Sequence, residues 1–137
     1  MLWMKVIDLI IIIGTPCTDG TGSVYVYALS TNILSLKTKL EPINGKVDDE
    51  FGNSIAISSN TVIAGATQGN HRDINSGSAH LCNWIRNYSY CLNFLSEGRE
   101  EEYCNFCSSV VINGNTVVVG ANSNKDKGIE SGNFIQK

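Results

Sequence analysis

The residues best spaced for chemistry stand late in the chain, at Asn122-Ser123-Asn124-Lys125-Asp126-Lys127-Gly128-Ile129-Glu130. Counted from Asn122, oxygen-bearing side chains fall at positions 1, 3, 5 and 9. That spacing lets a short loop wrap a hard cation such as calcium, so Asn122, Asn124, Asp126 and Glu130 are the candidate metal ligands. Only Asp126 and Glu130 carry charge, and Lys125 and Lys127 offset them. Calcium affinity follows the number of charged ligands, so the site is expected to be weak. The plainer reading of the same residues is an Asn- and Gly-rich turn that holds no ion.

Cysteine supplies the second candidate chemistry. The chain has Cys17, Cys82, Cys91, Cys104 and Cys107. Cys104-Asn105-Phe106-Cys107 has C-x-x-C spacing, but a structural zinc site wants a second pair or two matching histidines. His71 and His80 stand elsewhere, nine residues apart. Cys82 and Cys91 flank an expected turn at Arg86-Asn87, where they would face each other and bridge in an oxidising compartment. An odd count leaves one thiol over, and small buried hydrophobes are the alternative reading. Asn87-Tyr88-Ser89 is a glycosylation sequon in that same turn. No G-x-S-x-G, H-E-x-x-H or phosphate-loop motif is present, and no activity is expected of the chain.

The elements that must carry these residues are marked by an internal repeat. The segment from Phe51 to Ala66 returns from Phe106 to Ala121, with Phe51/Phe106, Thr61/Thr116 and Gly65/Gly120 each 55 residues apart. Thr21-Gly22-Ser23, Ser76-Gly77-Ser78 and Ser131-Gly132-Asn133 keep the same step. A constant period of this size means one supersecondary unit used repeatedly, as in propellers and solenoids. The units run over residues 1–34, 35–89 and 90–137, the first and third being partial. In the middle unit, strands are expected at about Leu36–Leu40, Asn53–Ser58, Thr61–Ala66 and Gly77–Trp84. Val24-Tyr25-Val26-Tyr27 has strand composition. Val117-Val118-Val119 and Ile10 to Ile13 are unbroken apolar runs, which suit strands covered on both faces. Asn113-Gly114 signals a hairpin turn, and Ser59-Asn60 is its counterpart one unit earlier. No helical periodicity is sustained, and His80 falls where Tyr25 stands a unit earlier, as an ordinary strand residue.

Composition agrees with that architecture and excludes other classes. Hydrophobic residues make up 42% and charged residues 17%, with 13 Gly and only 2 Pro, which suits short strands and tight turns rather than disorder. The net charge of −3 and scattered basic residues give no reason to expect nucleic acid. The apolar stretch Leu9 to Ile13 is too short for a membrane span and gives no convincing signal peptide. In the repeat, Val6 to Ile13 takes the place of the strand pair before "GA". The polar segments 41–50 and 96–103 are expected to be solvated connections.

Phe51-Gly52, Gly65-Ala66-Thr67 and Gly120-Ala121-Asn122, with Gly14-Thr15-Pro16 in the first unit, resemble the FG-GAP repeat. The resemblance implies an all-β chain of β-propeller blades, each a four-stranded antiparallel sheet, as in integrin α-subunit heads and extracellular microbial proteins. Cys107 departs from the pattern by replacing the motif glycine. About two and a half units are present, whereas a ring closes with 4–8 blades, so an incomplete propeller is expected.

By that resemblance the chain is a binding module, for protein–protein contact or cell-surface adhesion, outside the cell or on its surface. Calcium often occupies acidic blade loops in the family, usually the loop after "GA", which points again to the 122–130 segment, and the resemblance makes no other cofactor certain. The partners implied are a protein ligand or further blades. Three alternatives stay open: an accessory propeller fragment of a larger enzyme, a self-assembling repeat protein, or a decayed copy. Unpaired sheet edges would invite pairing with another chain.

Overall fold

A computed structural model of the chain describes residues 9–16, 20–43, 45–67, 77–85, 88–96, 106–121 and 132–136. Among them there is no helix, and the chain is all-β. The strands are β1 (Leu9–Thr15), β2 (Ser23–Ser30), β3 (Ile33–Leu40), β4 (Phe51–Ser58), β5 (Thr61–Ala66), β6 (Ser78–Ile85), β7 (Tyr88–Ser96), β8 (Phe106–Asn113), β9 (Thr116–Ala121) and β10 (Gly132–Gln136). They form three antiparallel sheets, ordered β1-β2-β3, β4-β5-β6-β7 and β10-β9-β8.

Tight turns hold the hairpins. Ser58 pairs with Thr61 and Asn113 with Thr116, so the turns are Ser59-Asn60 and Gly114-Asn115, both opening on a positive φ. β2 and β3 meet through Thr31 and Asn32, at φ 50° and 62°. Positive φ at both central residues suits the twist of a two-residue hairpin. This turn sets the sheet membership of β3. The strand expected at Leu36–Leu40 as part of the middle unit pairs instead with β2, and β7 supplies the fourth strand of the middle sheet.

The 55-residue step is visible as geometry. Phe51 pairs with Ala66 and Ser54 with Gly65, bulging Gly52-Asn53 out of the ladder. Phe106 pairs with Ala121 and Ser109 with Gly120, and the same bulge recurs. Gly52 sits at φ 91°, and Cys107, in the place of the motif glycine, keeps the left-handed conformation at 70°. That conformation costs a non-glycine residue about 1–2 kcal/mol.

The middle sheet is covered on both faces. Val62, Ala64 and Ala66 of β5 pack with Val24, Val26, Leu40 and Phe51 in one buried cluster. Ile63, the alternate residue, packs with Cys107, Val110, Ile112, Val117 and Val119 in another. Strand side chains alternate between faces, so one apolar run serves two interfaces. The end sheets differ. Val117 and Val119 are buried, but Val118 between them is 43% exposed, and Ile13 is 45% exposed. The expectation that these runs are covered on both faces is corrected: among the described residues, a sheet lies on one side only. Leu9–Thr15 is also one continuous strand, where Val6 to Ile13 was expected to hold a strand pair, and residues 1–8 lie outside the description.

Close backbone approach locks neighbouring sheets. A Cβ on Gly14 would collide with the Gly52 carbonyl oxygen, and one on Gly65 would stand 2.6 Å from the Cys107 carbonyl oxygen. The first and second sheets are further tied by a parallel bridge between Gly22 and Phe51, with the Phe51 amide donating to the Thr21 carbonyl at 2.9 Å. The second and third are tied by the Ser54 hydroxyl donating to the Cys107 carbonyl (2.6 Å) and the Gly114 amide donating to Ser58 Oγ (3.1 Å).

Candidate functional site

Antiparallel alternation decides where the connections emerge. β1, β3, β5, β7 and β9 end, and β2, β4, β6, β8 and β10 begin, at one common end of the stacked sheets. The Gly14/Gly52 and Gly65/Cys107 approaches lie at this end, and the Ser58–Gly114 bond joins the turns at the other. The long, variable segments therefore leave from one end, and the short turns occupy the opposite one.

The described part of the loop end is built on carboxylates. Glu50 Oε2 accepts hydrogen bonds from Thr67 Oγ1 at 2.7 Å and Asn53 Nδ2 at 3.0 Å. Thr67 directly follows Gly65-Ala66, so this contact ties the entry of β4 to the exit of β5. Asp49 is buried, and its Oδ2 accepts from the Lys46 backbone amide at 2.8 Å. The Asp48 amide donates to the Gly20 carbonyl at 2.6 Å, fastening this segment to the preceding loop. Asp48 and Glu50 both hold positive φ, at 69° and 57°. Hydrogen bonds to a charged acceptor contribute about 1.5–3 kcal/mol each, enough to hold such a segment in place. These contacts act as a brace, and Asp48 projects from it exposed to solvent.

Residues 41–50 are the expected solvated connection at Glu41, Ile43, Lys46, Val47 and Asp48, which are exposed, and the expectation is corrected only at its last two residues, where Asp49 is buried and Glu50 is bonded to Thr67. The signal in the sequence was Asp49-Glu50 set directly before Phe51, with Thr67 directly after "GA".

The candidate calcium ligands Asn122, Asn124, Asp126 and Glu130 lie outside the described residues, as do Cys17, Cys104, His71 and Asn87. Among the described residues, no group of three or more His, Cys, Asp or Glu is gathered so as to hold a metal ion. Nor is any helix among them long and apolar enough to cross a membrane. Cys82 and Cys91 are directly paired across β6 and β7 and joined by a disulfide. Cys107 is buried. His80 is buried in its strand, with its ring edge-on to Phe51 at 5.2 Å and its Nε2 hydrogen-bonded with Ser78 Oγ at 2.9 Å. The structure thus brings together the cysteine pair that the sequence pointed to, and keeps His80 in the core.

Residues 34–82 match the model of the FG-GAP repeat, a span running from β3 into β6 that contains Phe51-Gly52 and Gly65-Ala66-Thr67. The comparison with curated proteins found no match.

Proposed function

We propose, starting from an FG-GAP repeat at residues 34–82, that this chain is a non-catalytic binding module. Its loop end is the surface that meets a protein ligand, as part of a propeller working outside the cell or at its surface. The observation that carries this reading is the common exit of the variable segments over a rigid stack of sheets. Recognition surfaces are commonly built in this way, with variable loops on a fixed scaffold. The braced Glu50–Asn53–Thr67 corner supports it further, because a preordered loop loses less entropy on binding. The Cys82–Cys91 disulfide suits an oxidising compartment.

A photo-crosslinking amino acid placed at Asp48 on the loop end, or at Ser59 on the turn end, tests the reading in cells that make the protein. Protein adducts identified by mass spectrometry from position 48 but not from 59 are expected. Equal labelling from both ends, or none from position 48, would contradict it.

A further inference from the structure

The two internal interfaces are made by the same pair of faces. One face carries the "GA" glycine: Ile12 and Gly14 in the first sheet, Ile63 and Gly65 in the middle sheet. It meets the opposite face of the following sheet, formed by Val62, Ala64 and Ala66 in one case and by Val117 and Val119 in the other. Applying the 55-residue step once more turns Ala56, Ile63 and Gly65 into Val111, Val118 and Gly120. Val111 and Val118 are directly paired, and they are 60% and 43% exposed, although their counterparts pack into a buried cluster. The third sheet therefore displays an open glycine-bearing face.

The first sheet displays the other kind. Val24 and Val26 point into the core, so Tyr25 and Tyr27 lie on the outer side with their cross-strand partners Ile13 and Ile11. Ile13 is 45% exposed, and Leu36, paired with Tyr27, is 55% exposed. Lys39, paired with Tyr25, lays its ammonium over that ring at 5.9 Å, so the face is apolar with a cation at one edge, and exposed apolar patches rimmed by polar groups mark interaction surfaces. The described sheets thus present two different exposed faces, and the chain already joins that pair of faces twice within itself.

We infer that these two faces dock on each other between copies: the Val111–Val118 face of one molecule seats on the Ile13–Tyr25–Tyr27 face of a second. The contact is head-to-tail and heterologous, so it can close into a ring. Two copies bring six described sheets together, within the four to eight that propellers use. This deepens the propeller part of the proposed function and is independent of what the loop end binds.

Two exposed-site variants test it, Val118→Lys and Ile13→Lys, with light scattering across a dilution series as the readout. The unaltered chain is expected at twice the monomer mass. Each variant alone is expected as a monomer. An equimolar mixture is expected to regain dimers, because one intact pair of faces survives in it. Circular dichroism checks the fold of each variant, and Val111→Lys and Leu9→Lys replace either one that fails to fold. A monomeric unaltered chain would overturn the inference, since the faces would then be covered by something else. So would a variant that still dimerises alone, or a mixture that stays monomeric. Loop-end crosslinking reads the ligand proposal separately, because its probe at Asp48 lies between β3 and β4, whereas the substitutions are on β1, β8 and β9.

Discussion

Gly65 lies against Cys107 so closely that a Cβ at position 65 would stand 2.6 Å from the Cys107 carbonyl oxygen and 2.8 Å from its Cβ. The contact joins the "GA" glycine of one unit to the motif turn of the next. At Gly120, one step on, the nearest atoms to a Cβ all belong to Ser109. A side chain at 65 must push back a neighbouring sheet, whereas one at 120 must displace a single exposed hydroxyl. Gly65→Ala is expected to destabilise the chain by about 1–3 kcal/mol, as overpacking does. Gly120→Ala is expected to cost less. Urea denaturation of both variants checks the order, and equal losses would mean that position 65 does not meet a packed neighbour.

Phe51 anchors the first interface. It is fully buried, its amide bonds to Thr21, and its ring meets the His80 edge. Phe51→Ala is expected to cost about 3–5 kcal/mol, the usual range for a buried aromatic. Thermal and urea melts measure it, and a loss below about 1 kcal/mol would remove Phe51 from the core.

The Cys82–Cys91 disulfide closes a short loop, with a sequence separation of 9. In the chain-entropy account, a loop of that size contributes about 2–3 kcal/mol by restricting the unfolded chain. Urea midpoints with and without reductant should differ accordingly, and the double variant Cys82→Ala/Cys91→Ala should be insensitive to reductant. An unchanged midpoint on reduction of the native chain would show that the bridge does not form.

Calcium is expected to matter little. The 122–130 segment offers two carboxylates offset by two lysines, and affinity follows charged ligands. Chelation should leave the melting temperature essentially unchanged, and so should Glu130→Gln. A calcium-dependent rise in melting temperature that Glu130→Gln abolishes would reverse this expectation.

Much of this architecture is legible in the residues, for identifiable reasons. Phe51/Phe106 and Gly65/Gly120 keep a fixed step because each unit must present the same bulge to the next. Cys82 and Cys91 could be paired because the turn between them is short and their strands carry β-forming residues. The membership of Ile33–Leu40 was not legible, since a strand pairs by its turn, and Thr31-Asn32 is a weaker turn signal than a glycine pair. Nor could an apolar run tell one covered face from two. Ile63 and Val118 are alike in composition, and only the presence of a neighbouring sheet separates a buried side chain from an exposed one. Asp49 looked solvated because its charge is plain in the sequence, while the Lys46 backbone amide that donates to its carboxylate is not.

The most direct test of the stacked-unit account is a nuclear Overhauser measurement between the α protons of Gly65 and the β protons of Cys107. The account predicts a strong cross-peak, because one α proton occupies the direction of the absent Cβ and points at the Cys107 side chain. Its absence, in a sample that shows the expected cross-peaks between β5 and β6, would mean that the sheets form but do not stack as described.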